Sequence, residues 1–288
     1  MSSRCLMPVA GRGTRLRPIT NSVPKEMLPV GTRPMLQWAI TEALESGFTE
    51  LGFVIRDGKP LLERYLEEEA WRQGLLPALS DAAGRARVTI FRQDRPRGVV
   101  DAVLTASDWL AEGPVAVLLP DNVRLAGPSP LSSASLERAP EAGGLVACHR
   151  VGPERSAYYG DVGRIELEEL VPAGRPPQVR WLQERGEGAA FEAPPEGAWR
   201  LLPRWVVTGT WLEEALRVSR EARLDGREAD DVVVHRRLVE RGSLSALPWE
   251  GVMVDAGSPR GFLHAQHLLH EAARAGEAEP DLLQVEGR

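Results

Sequence analysis

Four short apolar runs, at residues 4–10, 50–56, 87–93 and 115–121, alternate with segments of helical spacing at 33–47, 60–76 and 99–113. No other feature restricts the fold as much. In 33–47 the apolar residues fall at 35, 36, 39, 40, 43 and 44, one face of a helix that Gly47 closes. The run at 115–121 is apolar on both faces, as a central strand requires. Strands alternating with helices imply βαβ units and a parallel sheet covered on both sides, hence an α/β protein. In such sheets ligands sit beyond the carboxyl ends of the strands. The residues at those ends are Gly11 to Lys25, Gln93 to Gly98, and Asp121, which the pattern gathers on one edge.

The second half is less regular. Strands are expected at 143–151, 162–170, 179–185 and 202–209, and helices at 210–224 and 231–242. Two short strand-like segments over 243–256 and a helix over 259–276 close the pattern. The Pro/Gly-rich stretches at 126–130, 172–177 and 186–198 read as loops within one unit. We therefore expect one domain over 1–276 and a tail over 277–288. Internal repeats are absent.

A formal charge of −6 and a pI near 5.6 argue against a general nucleic-acid binder. No run approaches the roughly 18 apolar residues of a membrane span, and the apolar stretch near Met1 is too short for a signal peptide. Cys5 and Cys148 lie in strand-like segments. Two reduced, buried thiols are expected rather than a disulfide, which suits a cytoplasmic enzyme.

The chain writes its cations almost entirely as arginine: of 35 Lys and Arg only Lys25 and Lys59 are lysine. The loop GRGTRLRP at 11–18 follows the first strand. Its glycines let backbone amides approach a phosphate, and Arg12, Arg15 and Arg17 neutralise its charge. It is neither an ATPase loop of the GxxxxGK[ST] kind nor a dinucleotide GxGxxG, since residue 16 is Leu. A lysine kept at 25, beside this loop, points to a need for a compact ammonium. Lys59, in DGKP, reads as a surface lysine whose change to Arg would have no effect.

The segment PVAGRGTRLRPITNSVPKEMLPVGTRPMLQWAITEAL, residues 8–44, resembles the signature of the sugar-phosphate nucleotidyltransferases. Within them it is most similar to the bacterial UTP–glucose-1-phosphate uridylyltransferases. The thymidylyltransferase branch usually has S-K-Q-L-L-P where this chain has PKEMLP. The resemblance implies a Rossmann-like fold with a mixed, mostly parallel sheet flanked by helices and an inserted sugar-binding lobe. The nucleotide part would be about 1–125 and the sugar part about 126–276.

It also implies roles. Ala10, Gly11, Gly13 and Thr14 would bind the nucleotide, Arg15 would hold its β- and γ-phosphates, and Lys25 would neutralise the α-phosphate. RQDRPRGVVDAV resembles the base-reading segment, so Gln93 and Gly98 would read a pyrimidine edge; Val100 and Asp101 replace a small residue and a His or Gln. VLLPD and VMVDAGSPRGF resemble the metal-binding segments, giving Asp121 and Asp255 as ligands of Mg²⁺. YYGDVGRI and VRWLQERG stand where the family binds the sugar phosphate, giving Gly160, Glu184 and Arg185, with Arg185 in place of a lysine. The family's G-E-I-Q-L-T-D segment is poorly kept at DGREADDVVV. The implied partners are UTP or dTTP and a sugar 1-phosphate, with a dimer or tetramer as the assembly.

Two other classes remain open: a ligand-binding or regulatory descendant without turnover, and a nucleotide-dependent oxidoreductase, which the missing third glycine opposes. Other features have simpler readings. His264, His267 and His270 recur every third residue and precess around their helix, so they do not converge on a metal. The EEE at 67–69 reads as a solvated helix face. The eight tryptophans are mostly packing residues, with Trp205 a candidate wall of the sugar pocket.

Overall fold

Alternate residues of the central strands feed two different cores. The computed structural model describes residues 3–75, 79–153, 163–169, 171, 174–183 and 193–274. Its strands are β1 (Arg4–Pro8), the ribbon β2 and β3 (Pro29–Val30, Arg33–Pro34), β4 (Glu50–Ile55), β5 (Arg87–Arg92), β6 (Val115–Leu118) and β7 (Asn122–Ala126). They continue as β8 (Leu145–Val151), β9 (Arg164–Leu167), β10 (Val179–Leu182), β11 (Ala198–Val207), β12 (Ser245–Trp249) and β13 (Val252–Asp255). In β6, Val115 and Val117 join one hydrophobic cluster while Ala116 and Leu118 join the other. Leu6 against Cys5 and Met7 does the same in β1. A period of two divides a strand this way only when both faces of the sheet are covered.

Among the described residues nine strands form the main sheet, in the order β10-β9-β11-β6-β1-β4-β5, with β8 on β11 and β12 on β8. The sequence-first half is parallel: β6, β1, β4 and β5 pair in that sense. β11 then runs antiparallel to β6, making the sheet mixed. The expected first helix spans Met35–Glu45, and the chain leaves it at Gly47 with φ +81°, a left-handed geometry that glycine adopts freely. Thr208 and Asp230 cap the helices Gly209–Leu224 and Asp231–Glu240, accepting from Trp211 N and Val232 N.

Some expectations on extent change. The helix expected over 60–76 spans Pro60–Glu67, because Glu69 turns left-handed at φ +51° and a 3-10 segment follows. Glu69 of the EEE run therefore lies past the helix, ion-paired to Arg72 at 2.7 Å. The helix expected over 99–113 breaks into Val99–Leu104 and Ser107–Ala111. There the Thr105 hydroxyl donates back to the Asp101 carbonyl, a bond that bends helices. Helices Ser80–Arg85 and Ser133–Ala142 and the strand β7 are additions to the sequence reading.

β7 pairs antiparallel with β13 in a separate ribbon, with Asn122 opposite Asp255. Val123, Leu125 and Val254 of this ribbon pack with Met35, Trp38, Ala265 and Leu269 from the helices Met35–Glu45 and Pro259–Arg274. That third core fixes the ribbon against the sheet. Among the described residues no helix is long and apolar enough to cross a membrane. Cys5 and Cys148 are both buried and free, as expected, and burial pushes the Cys148 thiol up to about 12.

Candidate active site

The β7–β13 register explains how carboxylates 134 residues apart come together: Asp121 precedes β7 and Asp255 ends β13, opposite Asn122. Gly257 makes the approach possible. A Cβ there would lie 2.6 Å from Asp121 Oδ2 and 3.0 Å from Arg15 Nη2, so any side chain would displace the Asp121 carboxylate. Its amide donates to Asp255 Oδ1 at 3.0 Å. The loop that carries Asp121 is held from behind by Arg204, which is fully buried. Arg204 forks onto both Glu42 oxygens at 2.9 and 2.8 Å and donates to the carbonyls of Leu119 and Asn122.

Two cations face this carboxylate pair. Lys25 Nζ lies 2.7 Å from Asp121 Oδ2. Arg15 spans both acids, with Nη2 3.7 Å from Asp121 and Nη1 3.4 Å from Asp255. Burial works against the Asp121 charge, but Lys25 and then Arg15 outweigh it and hold this carboxyl well below the usual range. Asp255 goes the other way: burial first, and then the charge of Asp121, raise it. Burial also opposes the Lys25 charge, yet Asp121 and Glu26 together keep its pKa above that of an ordinary lysine. The Lys25 stem runs past Gly11 and Gly13, where added Cβ atoms would approach it to 3.6 and 3.2 Å. Gly13 itself has φ +65° and its carbonyl accepts from the Thr20 hydroxyl.

The cluster stands between two clefts. One, of about 300 Å³, is lined by Ala10, Gly11, Thr14, Lys25, Gln93 and Gly98, and reaches Asp121. The expected loop residues therefore do share one edge of the sheet. Gly98 has φ +102°, and a Cβ on it would meet the Ala229 carbonyl oxygen at 2.3 Å. Gln93 is buried, and its Nε2 donates to Asp101 Oδ2 at 3.1 Å. Asp101 also accepts from Arg223 at 2.7 Å. A carboxylate partner fixes which end of the amide is the donor, leaving the Gln93 oxygen and one N–H for a ligand. The second cavity, of about 480 Å³, is lined by Arg15, Asp121, Asn122, Asp255, Arg200 and His235 among others.

Several residues differ from expectation. Gly160, Glu184 and Arg185 lie outside the described residues. Trp205 does not wall the sugar side: it is fully buried behind His235, in ring contact with it. Lys59 is the clearest correction. It is not a surface lysine but 3% exposed, donating to the Val9 carbonyl at 2.6 Å and to Glu26 Oε2 at 2.8 Å. A loop position in DGKP concealed it, and the acidic residue next to Lys25 was the signal that a second cation was needed. Arg204, Gly257 and Glu228, which lines the smaller cleft, were not singled out by the sequence reading. Among the described residues no three His, Cys, Asp or Glu side chains are grouped as a metal site would place them.

A glycine-rich loop, a paired Lys and Asp, and a second Asp brought in by the β7–β13 ribbon stand together at one edge of a mixed α/β sheet. The Nucleotidyl transferase family matches residues 6–269, and the chain belongs to that family and is a nucleotidyltransferase enzyme. Among its relatives is the UTP–glucose-1-phosphate uridylyltransferase of Pseudomonas aeruginosa, 27% identical over 283 residues, covering 94% of this chain and 97% of the relative. The protein of the same name from Bacillus subtilis is 29% identical over 275 residues, covering 90% and 88%. A crystal structure of UDP-glucose pyrophosphorylase complexed with UDP-glucose superposes with a TM-score of 0.72 at 25% identity, covering 94% of this chain and 99% of that one.

Proposed function

We propose that the protein transfers the uridylyl group of UTP to glucose 1-phosphate, giving UDP-glucose and pyrophosphate, with dTTP as a poorer donor. The observation that carries this reading is the Lys25–Asp121–Arg15–Asp255 cluster at the junction of the two clefts. One cleft would take the nucleotide and the other the sugar phosphate. The names of the relatives support the choice of substrates.

The sugar phosphate oxygen is anionic at neutral pH, so no protein nucleophile is needed. It attacks the α-phosphorus in line, and the bond from that phosphorus to the bridging oxygen of the β-phosphate breaks. Catalysis is then positioning and charge neutralisation. Lys25, small and held between glycines, neutralises the α-phosphate. Arg15, the most exposed member of the cluster, turns from the carboxylates to the departing phosphates. Gln93, oriented by Asp101, offers a donor and an acceptor to the uracil edge. Gly160, Glu184 and Arg185 would grip the sugar phosphate.

Asp121 and Asp255 fit a divalent ion. Both are hard oxygen donors, Gly257 keeps the space beside them free of a side chain, and burial together with the charge of Asp121 makes the Asp255 carboxylate costly without a cation. With two protein ligands, such an ion would leave room for phosphate and water oxygens, a donor set that suits Mg²⁺. Bound there, Mg²⁺ supplies Lewis-acid neutralisation of phosphate charge.

A matrix of nucleoside triphosphates against sugar 1-phosphates, scored by pyrophosphate release, tests the proposal. UTP with glucose 1-phosphate is expected to give the highest kcat/KM. Binding of both without pyrophosphate release would leave a non-catalytic descendant instead.

A further inference from the structure

Five polar side chains outside the cluster line the cavity of about 480 Å³: Asn122, Arg200, Asp231, His235 and Ser258. Asp231 and His235 lie one turn apart on the helix Asp231–Glu240 and both line the cavity. Residues four apart share a helix face. His235 is 2% exposed, and neither of its ring nitrogens has a hydrogen-bond partner. The ring is braced from behind by Trp205, T-shaped at 5.6 Å, and by Trp211 at 6.4 Å.

Burial pushes the His235 imidazole down to about 4, so at neutral pH it is uncharged and offers one donor and one acceptor. Leaving both unmatched in an apolar wall is costly, and a phenylalanine would fill the same space without that cost. The unmatched nitrogens therefore point to a ligand. Arg15, Asp121 and Asp255 line the same cavity. A substrate anchored by its phosphate at the cluster would press its other end toward this helix. Asp231 adds an acceptor-only carboxylate at the neighbouring position, and a carboxylate beside a neutral imidazole suits adjacent ring hydroxyls.

Resting on the reading that the second substrate is a sugar 1-phosphate, we propose that Asp231 and His235 are specificity-determining residues that hydrogen-bond hydroxyls of the sugar ring.

The test compares glucose 1-phosphate with its 2-, 3-, 4- and 6-deoxy analogues in the wild type, His235→Phe, His235→Gln and Asp231→Asn. The wild type is expected to lose about tenfold to a hundredfold in kcat/KM on at least one analogue. His235→Phe should lose a similar factor on glucose 1-phosphate and cease to discriminate that analogue, with the KM for UTP unchanged. His235→Gln, which keeps a donor and an acceptor, should recover part of the loss, whereas a packing role would favour Phe. Normal KM for glucose 1-phosphate and full discrimination in both His235→Phe and Asp231→Asn would overturn the proposal. Should His235→Phe not fold, the wild-type series and Asp231→Asn still decide. A wild type that turns over no sugar 1-phosphate at all fails in a different way: it removes the substrate reading itself, and this inference with it.

Discussion

Lys59 and Glu26, the residue after Lys25, form a buried ion pair at 2.8 Å, with side chains 3% and 1% exposed. Lys59 also holds the carbonyl of Val9, the residue after β1. One cation therefore ties the end of the first strand to the turn Lys25–Met27. Lys25 and Glu26, neighbours in sequence, point to opposite sides of that turn, one to Asp121 and one to Lys59. Both lysines of this arginine-rich chain stand where a thin stem must pass through a narrow space.

Lys59→Met leaves Glu26 as an uncompensated buried charge, which typically costs about 3–5 kcal/mol. Urea denaturation should show a loss of that order. The double variant Lys59→Met/Glu26→Gln should recover part of it, because the two sites are coupled. Lys59→Arg, which the sequence alone marks as harmless, should also destabilise, by about 1–3 kcal/mol, through overpacking. A Lys59→Met protein as stable as the wild type would show that the pair contributes nothing.

Lys25→Arg keeps the charge but brings a planar head group into the space between Gly11 and Gly13. Electrostatic stabilisation of this kind is worth about 3 kcal/mol, so kcat should fall roughly a hundredfold. UTP affinity should change much less. Near-normal turnover in a stopped assay of pyrophosphate release would remove Lys25 from the α-phosphate.

Asp121→Asn and Asp255→Asn should each abolish most activity and weaken Mg²⁺ binding, measured by titration calorimetry in the presence of UTP. Excess chelator should stop the wild-type reaction, and added Mg²⁺ should restore it. Turnover that survives the chelator would exclude the two-carboxylate metal site.

Asp101→Ala frees the Gln93 amide to rotate. Discrimination between UTP and a purine triphosphate should fall by about tenfold while kcat with UTP drops less. Unchanged discrimination would mean that Gln93 is oriented by other contacts.

His235 links stability to pH. Burial holds its native pKa at about 4, below the 6.5 of an ordinary histidine, so the unfolded chain binds a proton that the native one refuses. This contribution is fully present above about 6.5 and is lost as pH falls toward 4. By linkage it amounts to about 3 kcal/mol. Denaturation curves between those pH values should be steeper in pH for the wild type than for His235→Phe; equal slopes would show that His235 titrates normally.

The strand–helix alternation up to Asp121 was legible because buried strands and amphipathic helices write different periods into the sequence. The glycine loop, Lys25 and Asp121 stood out by residue type and position, and Asp255 by the family resemblance of its segment. What brings the aspartates together was not: β7 is five residues long, abuts a Gly/Pro-rich stretch, and acquires its partner only at Val252–Asp255. Arg204 was equally hidden, since its fork onto Glu42 spans 162 residues and nothing in its own neighbourhood announces it. Thr105 broke a helix through a side-chain bond that spacing does not reveal. Lys59 was misread because a charged residue in a Gly/Pro turn is usually solvated, and only its three-dimensional partner says otherwise.

Gly98 has a genetic consequence. Its amide neighbourhood is stapled to the far side of the cleft, with Ala229 N donating to Arg97 O at 2.8 Å and Val100 N donating to Ala229 O at 3.2 Å. The Ala229 carbonyl fills the place where any Cβ would go. Every missense change of a glycine codon encodes a residue that has that atom. Any missense change there therefore requires the Ala229 backbone to move away or the loop to leave its left-handed turn.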